Sequence, residues 1–250
     1  MDYQPRENLL DGRVVLVTGA GDGIGRVAAK TFAQHGASLV LVGRTRSKLE
    51  AINDEIKQLG STNPLIVPVD LANLDDASSL ELQNGIRDVF GRLDGLLHNA
   101  SVLGPKLPIE SYPYTQWKHV FQVNVHSQFL LTQALLPLLR QAEDASIILT
   151  SSGVGRKGRA YWGAYSASKF ATEALMEILA DELGAEPNIR VNSLNPGGTR
   201  TAMRAEAYPA EDPSTLPTPE VHMPLYLYLM GPDSREVTGQ KLDVISWTKS

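Results

Sequence analysis

Three polar residues in the stretch 150–169 have the types and spacing needed for acid–base chemistry. Tyr165 and Lys169 are four residues apart in a segment predicted to be helical, so their side chains lie on one face, one turn apart. An ammonium beside a phenol favours the phenolate, so we expect Lys169 to lower the pKa of Tyr165 from an ordinary value of about 10. Ser152 precedes Tyr165 by thirteen residues and is expected at a strand end, where it can hydrogen-bond the same substrate oxygen. The alternative is that Tyr165 and Lys169 only share a solvated helix face.

A glycine-rich loop follows the first apolar segment of the chain. Residues 14–18 (VVLVT) read as a buried strand, and an amphipathic helix is expected over about 24–35. A glycine loop between a strand and a helix N-terminus forms an anion site, because free backbone N–H groups and the helix dipole point at a bound phosphate. The alternative is a merely flexible loop. The cofactor-binding residues predicted here are Thr18, Gly19, Gly21, Asp22, Gly23, Ile24 and Gly25.

The end of the second predicted strand, 38–42, bears on the choice of cofactor. In dinucleotide folds an acidic residue here binds the ribose 2′-hydroxyl, whereas arginine accommodates a 2′-phosphate. This chain has Gly43 where the acid would stand and Arg44 beside it. Arg44 therefore favours NADP(H), with NAD(H) as the alternative. Asp22 is a complication, because it adds negative charge close to the same pocket.

Strand and helix patterns alternate along the rest of the chain. They predict a single-domain, Rossmann-like α/β fold over 1–250, a doubly wound parallel sheet of about seven strands with helices on both faces. The segment 200–223 is expected to be a substrate lid. Further strands are predicted at 65–69, 93–98, 145–150, 189–194 and 241–245; helices at 47–59, 74–90 (capped by Asn73), 114–139 and 161–184; and either at 224–230.

Composition excludes several classes of function. The chain has 250 residues, a net charge of −5 and no cysteine, so a nucleic-acid partner, an anionic-membrane partner and cysteine chemistry are not expected. The N-terminus carries no apolar run, which favours a cytoplasmic protein. The five histidines lack metal-ligand spacing, so no metal is expected, and His98 is interpreted as structural.

In their order, these motifs resemble the short-chain dehydrogenase/reductase superfamily, and longer runs such as NPGGTRTAMRAEAYP look like the YciK-type bacterial oxidoreductases. The resemblance implies a catalytic tetrad of Asn124, Ser152, Tyr165 and Lys169, and a homodimer or homotetramer formed by the helices at 114–139 and 161–184. One departure is Ser101, where the family usually has glycine. The further residues expected to bind the cofactor are Asp70, Leu71, Asn99, Ala100, Tyr165, Lys169, Pro196, Gly197, Thr199 and Thr201.

The resulting hypothesis is an NADP(H)-linked oxidoreductase that interconverts a small-molecule carbonyl and alcohol. Tyr165 is the expected general acid and base, Lys169 binds the nicotinamide ribose, and Asn124 holds a water in a proton relay. One alternative is a catalytically silent protein that senses nicotinamide redox state or acts through partners. Another is a nucleotide-sugar epimerase or dehydratase, for which the chain after Pro196 is short.

Overall fold

In the computed structural model, which describes residues 3–60, 63–186 and 188–247, the strands form one parallel sheet. The strand order is β3-β2-β1-β4-β5-β6-β7, and every neighbouring pair is parallel. This confirms the predicted Rossmann-like fold. The strands are β1 (Val14–Thr18), β2 (Ser38–Gly43), β3 (Leu65–Pro68), β4 (Gly95–His98), β5 (Ala145–Thr150), β6 (Ile189–Asn195) and β7 (Lys241–Asp243).

Helices cover both faces of the sheet. On one face α1 and α8 pack on Val15, Val17 and their neighbours, and on the other α3, α5 and α6 pack on Val14, Leu16 and theirs. Because successive strand residues point to opposite faces, continuous apolar runs such as VVLVT suit a sheet that is covered on both sides. The helices are α1 (Gly23–Gln34), α2 (Arg46–Gln58), α3 (Asp76–Phe90), α4 (Tyr114–Phe121), α5 (Ser127–Leu139), α6 (Gly163–Glu182), α7 (Ala202–Ala207), α8 (Met223–Met230) and α9 (Val244–Trp247).

Three predicted elements differ in the structure. Asp75, not Asn73, caps α3, because its carboxylate accepts from the N–H of Ser78 in a capping box while Asn73 ends a short 3-10 turn. The helix predicted at 114–139 is interrupted by a π-helical turn, Gln122–His126, between α4 and α5. The last strand ends at Asp243, where α9 begins.

A buried ion network fastens α8 and the loop after it to the sheet. Arg190 on β6 donates to Asp144 Oδ1 at 3.1 Å, and Arg13 donates to Asp144 Oδ2 at 2.9 Å. Arg190 also donates to the carbonyls of Leu229 and Gly231. Burial alone would raise the pKa of Asp144, but Arg190 and Arg13 hold it below its ordinary value. The network therefore pairs the buried guanidinium of Arg190 and the partly buried one of Arg13 with the same carboxylate.

None of the helices in the described part of the chain combines the length and the apolar character that crossing a membrane requires.

Candidate active site

The glycine loop lies at the carboxyl end of β1, where the strand order reverses between β1 and β4. This switch point is where ligands bind in open α/β sheets. Gly19 adopts a left-handed backbone with φ of 67°, and a Cβ there would come 3.0 Å from the Ala100 Cα. A Cβ on Gly25 would collide with the Gly19 carbonyl, so glycine lets α1 start directly against the loop. The loop, with the N-terminus of α1 behind it, has the form of a phosphate cradle.

Thr18 joins the loops that follow β1 and β4. Its Oγ1 accepts from the N–H groups of Asn99 and Ala100, each at 3.0 Å. Asn99 Nδ2 in turn donates to the Thr18 carbonyl at 3.3 Å. Thr18 is buried and stands behind the cavity wall, so its contact is with these loops. It fixes the backbone that a cofactor would touch.

Asp22 is paired with a cation that the sequence reading missed. Lys48 on α2 reaches Asp22 Oδ2 at 2.5 Å, and Asp22 Oδ1 caps α1 by accepting from the N–H of Gly23. The hydrogen bond from Lys48 is the main reason that the pKa of Asp22 is lowered. The negative charge that seemed to complicate a phosphate pocket is therefore balanced by Lys48. Arg44 is exposed and lines the same end of the cavity.

Ser152 and Tyr165 are held together by the loop that joins β5 to α6. Ser166 Oγ donates to the Val154 carbonyl at 2.6 Å, and a Cβ on Gly155 would lie 2.7 Å from the Lys169 Cβ. Arg156 pairs with Glu173 on α6 and with Asp243 at the end of β7. The loop thus packs tightly on the first three turns of α6, and Ser152 sits beside the Tyr165 hydroxyl.

The pKa of Tyr165 differs from the value expected from the sequence. Burial raises it to about 12, against a lowering by the hydroxyls of Ser152 and Ser101. Lys169 Nζ lies 5.6 Å from the centre of the Tyr165 ring and donates to the Thr150 carbonyl at 2.8 Å. Burial also lowers the pKa of Lys169, to about 8. Burial therefore outweighs the lowering by the two serine hydroxyls in this structure. That Lys169 lowers the pKa of Tyr165 stays a prediction.

Asn124 lies in the π-helical turn and is fully buried. Its Oδ1 accepts from the Val102 N–H at 2.8 Å, and its Nδ2 donates to the Val102 carbonyl and to Ser168 Oγ, each at 3.0 Å. Both amide hydrogens are thus used inside the protein. The side chain anchors the loop after β4 to α6, and its role in a proton relay stays a prediction.

A cleft of about 450 Å³ connects these features. Most of the predicted site residues line it, from the glycine loop and Arg44 at one end to Ser152, Tyr165 and Lys169 at the other. Thr18, Gly25 and Asn124 do not line it and support its wall. The predicted residues in the lining are Gly19, Gly21, Asp22, Gly23, Ile24, Arg44, Asp70, Leu71, Asn99, Ala100, Ser152, Tyr165, Lys169, Pro196, Gly197, Thr199 and Thr201.

Asp70 and His98 each make a hydrogen bond within the protein. Asp70 Oδ1 accepts from the Ala72 N–H at 3.1 Å and shapes the turn after β3. His98 is buried, with Nε2 2.9 Å from Thr132 Oγ1, and burial lowers its pKa to about 3. The structural interpretation of His98 is confirmed. Residues 3–60, 63–186 and 188–247 contain no group of three or more His, Asp or Glu placed to hold a metal ion.

The part of the chain that lines this cleft matches a known protein family. Residues 13–212 match the family described as short chain dehydrogenase. The chain belongs to the short-chain dehydrogenase family. This dehydrogenase is 51% identical over 243 residues to the uncharacterized oxidoreductase YciK of Escherichia coli K12, covering 97% of this chain and 96% of the relative. The predicted resemblance is confirmed, and the chain is an oxidoreductase.

Two solved structures are similar to this dehydrogenase over almost its whole length. A short chain dehydrogenase from Shigella flexneri 2a, complexed with NADP, is 49% identical with a TM-score of 0.93, covering 96% of this chain and 100% of that one. A short chain dehydrogenase from Escherichia coli CFT073, complexed with NADPH, is 50% identical with a TM-score of 0.93, covering 96% and 99%.

The end of the cleft nearest Tyr165 is lined by further residues, besides those expected to bind the cofactor or to take part in catalysis. Ser101 belongs to them, and its buried Oγ has no partner of good hydrogen-bond geometry in the described part of the dehydrogenase. Ser101 nevertheless lowers the pKa of Tyr165, so the two hydroxyls are close neighbours. The sequence drew attention to Ser101 because the family usually has glycine at this position. Leu103, Trp162, Met203 and Ala207 complete this end.

Proposed function

We propose that this dehydrogenase interconverts a small-molecule carbonyl compound and its alcohol with NADP(H), using Tyr165 as general acid and base. The observation that carries the proposal is the buried Tyr165 hydroxyl beside Ser152, at the far end of a cleft that starts at the glycine loop. When bound, the nicotinamide supplies or accepts the hydride, and the protein supplies position and electrostatics.

Tyr165 is suited to give a proton to the substrate in the direction of reduction. With a pKa near 12 its hydroxyl keeps the proton throughout the neutral range. A protonated phenol can hydrogen-bond the carbonyl oxygen and transfer its proton as negative charge develops there. The Ser152 hydroxyl can donate to the same oxygen, so both groups would hold the carbonyl in place.

Lys169 would hold the ribose next to the nicotinamide and keep a positive charge near Tyr165. Its ammonium carries three donors, and the Thr150 carbonyl accepts one of them. Since burial lowers its pKa to about 8, Lys169 is mostly charged at pH 7 and loses that charge as the pH rises through about 8. We further propose that Lys169 passes protons through a water held by Asn124, which lies in the π-helical turn.

The residues at the other end of the cleft fit the 2′-phosphate of NADP(H). Glycines form the cradle for the pyrophosphate, and Arg44 provides a guanidinium where an acid would repel the phosphate. Lys48 compensates Asp22, so the local charge there does not oppose a phosphate. Two similar dehydrogenases complexed with NADP and NADPH support the same choice.

Replacing Tyr165 with phenylalanine tests the proposal, because it keeps the ring and removes only the proton donor. We expect the rate of NADPH-dependent carbonyl reduction to fall by about 10² to 10⁴-fold, while the dissociation constant for NADPH, measured by its fluorescence, stays within about twofold. The matched control is Tyr161→Phe, an exposed neighbour with the same chemical change. Wild-type turnover in Tyr165→Phe would show that another group carries the proton.

The same measurements distinguish the alternative of a silent cofactor sensor. A sensor needs the glycine loop and Arg44, and would bind NADPH tightly without oxidising it in the presence of ketones, aldehydes or quinones. No described feature favours it, since the sensor has no use for the buried hydroxyls of Ser152 and Tyr165.

We also propose that the dehydrogenase is a cytoplasmic homodimer or homotetramer. Large apolar side chains on α5 and α6 support self-association, because Phe129, Phe170 and Ile178 are 49%, 45% and 53% exposed.

A further inference from the structure

We propose that the substrate is an uncharged carbonyl compound with an apolar body. This inference rests on the proposed function and adds the chemical class of the molecule reduced. It follows from the composition of the cleft wall beyond Tyr165 and from the hydrogen-bond partners of the nearby cations.

The wall around the reacting position is apolar. Leu103, from the loop after β4, and Met203 and Ala207, from α7, line the cleft beside the Trp162 ring. Leu103, Trp162, Tyr165 and Ala207 form a small buried cluster of their own, against which Met203 packs. The Trp162 ring lies 5.8 Å from that of Tyr165, tilted by 53°. Such a wall gains free energy from burying hydrocarbon and aromatic surface of a ligand.

The two arginines at the start of the lid segment already have partners. Arg204, which lines the cleft, makes a bidentate pair with Glu211 at 2.6 Å for both contacts, and its guanidinium stacks 3.9 Å over the Tyr208 ring. Arg200 donates to the carbonyls of Pro213 and Ser214 at 2.8 and 3.1 Å. A carboxylate on the substrate would have to compete with Glu211 for Arg204, and would lose its hydration in doing so.

Two further cations near this end also have partners in the protein: Arg159 donates to the Tyr208 hydroxyl at 2.8 Å, and Lys106 helps to build the wall. Its Nζ donates to the Ala207 carbonyl at 2.7 Å and lies over the rings of Trp162 and Tyr208, 5.0 and 4.7 Å from their centres. Lys106 therefore joins the loop after β4 to the lid segment, and its ammonium interacts with groups of the protein.

The polar groups proposed to meet the reacting oxygen are hydroxyls, whereas Lys169, which also lines the cleft, donates to the Thr150 carbonyl. Tyr165 and Ser152 face the reacting oxygen, and the buried Oγ of Ser101 lacks a well-formed partner. Hydroxyl groups can bind a carbonyl oxygen but cannot neutralise an anion. The site is thus built for one neutral oxygen on an otherwise apolar molecule.

Matched pairs of aryl ketones test this inference. We would compare acetophenone with 4-acetylbenzoate, and 2-acetylnaphthalene with its 6-carboxylate, by kcat/KM with NADPH and by calorimetric binding to the NADP⁺-loaded protein. Each neutral ketone should be preferred by at least about 10-fold, since the anion would be desolvated without a free partner. Glu211→Gln releases Arg204 and should reduce that preference about 10-fold, whereas Glu206→Gln, the same change at an exposed position of α7, should leave it unaltered.

The outcomes separate this inference from the proposed function. A wild-type preference for the carboxylates would overturn the substrate class and leave the oxidoreductase chemistry in place. Binding of the neutral ketones without NADPH oxidation would support the class and contradict the proposed function. An equal response to both members of each pair, or binding of neither, would overturn the class.

Discussion

At the residue scale, Tyr165 and Lys169 show how burial decides acid–base behaviour. A pair of charges about 4 Å apart at an effective dielectric of 20 interacts by about 4 kcal/mol, which is enough to lower the pKa of a tyrosine. Here the ammonium is directed at the Thr150 carbonyl and both side chains are buried. Desolvation therefore raises the pKa of Tyr165 and lowers that of Lys169. A pKa of about 12 keeps the Tyr165 hydroxyl protonated in the neutral range, as the proposed donor role requires.

Arg44 gives the residue-scale prediction for cofactor choice. Arg44→Asp replaces a phosphate partner by a group that repels the phosphate and accepts from a ribose hydroxyl. A hydrogen bond to a charged group contributes about 1.5–3 kcal/mol, so the ratio of NADP⁺ to NAD⁺ affinity should fall by at least about 10-fold. Titration of both cofactors by calorimetry measures the ratio. Arg46→Asp, at the first residue of α2 and exposed, is the matched control. An unchanged ratio in Arg44→Asp, or tighter NAD⁺ binding by the wild type, would contradict the assignment.

At the element scale, polar contacts fix how helices sit against the strands that carry the site. Asn124 in the π-helical turn holds the loop after β4, and the extra residue of such a turn shifts the following helix relative to the preceding one. His98 at the end of β4 contacts Thr132 on α5. These contacts place Ser101 opposite Tyr165, so the geometry of the hydroxyls depends on packing between β4, α5 and α6.

His98 gives the element-scale prediction, a pH dependence of stability. Its folded pKa of about 3 lies below the ordinary 6.5, so below pH 6.5 the unfolded chain binds a proton that the folded chain does not. Stability is therefore lost as the pH falls from about 6.5 towards 3, by about 2 kcal/mol at pH 5. His98→Gln keeps a partner for Thr132 and removes the titration.

Urea denaturation at pH 7 and pH 5 measures this effect. The loss between the two pH values should be smaller in His98→Gln by about 2 kcal/mol than in the wild type. His126→Gln removes an exposed histidine from the π-helical turn and should keep the wild-type difference. The same pH sensitivity in His98→Gln and the wild type would show that other groups cause it.

At the scale of the whole molecule, parallel strands bring distant loops to one edge of the sheet. Loops after β1, β2, β3, β4, β5 and β6 all contribute to the cleft, so residues from Gly19 to Ala207 meet there. The segment after β6 supplies Met203, Arg204 and Ala207, which supports a lid role for it. The network of Arg13, Asp144 and Arg190 connects α8 and the loop after it to the sheet.

Self-association is the prediction at this scale. The exposed apolar residues of α5 and α6 should be covered by a second copy, so sedimentation equilibrium should give at least twice the chain mass of 27.2 kDa. Phe170→Glu places a charge on that face and should shift the population towards monomer. Val89→Glu, at a more exposed apolar position on α3, is the control. A wild-type monomer at micromolar concentration would contradict the proposal.

The sequence by itself determined the strand–helix alternation, the anion cradle and the identities of Ser152, Tyr165 and Lys169, because periodicity and spacing are local properties. It also indicated Arg44, whose type alone bears on phosphate binding. Only the tertiary structure decided that Lys48 balances Asp22, that Asp75 caps α3, and that burial raises the pKa of Tyr165. Those outcomes depend on contacts between groups far apart in the chain and on the removal of water around them. A local sequence pattern predicts neither of these. The apolar wall opposite Tyr165 is of the same kind, since Leu103, Trp162 and Met203 meet only when three loops converge.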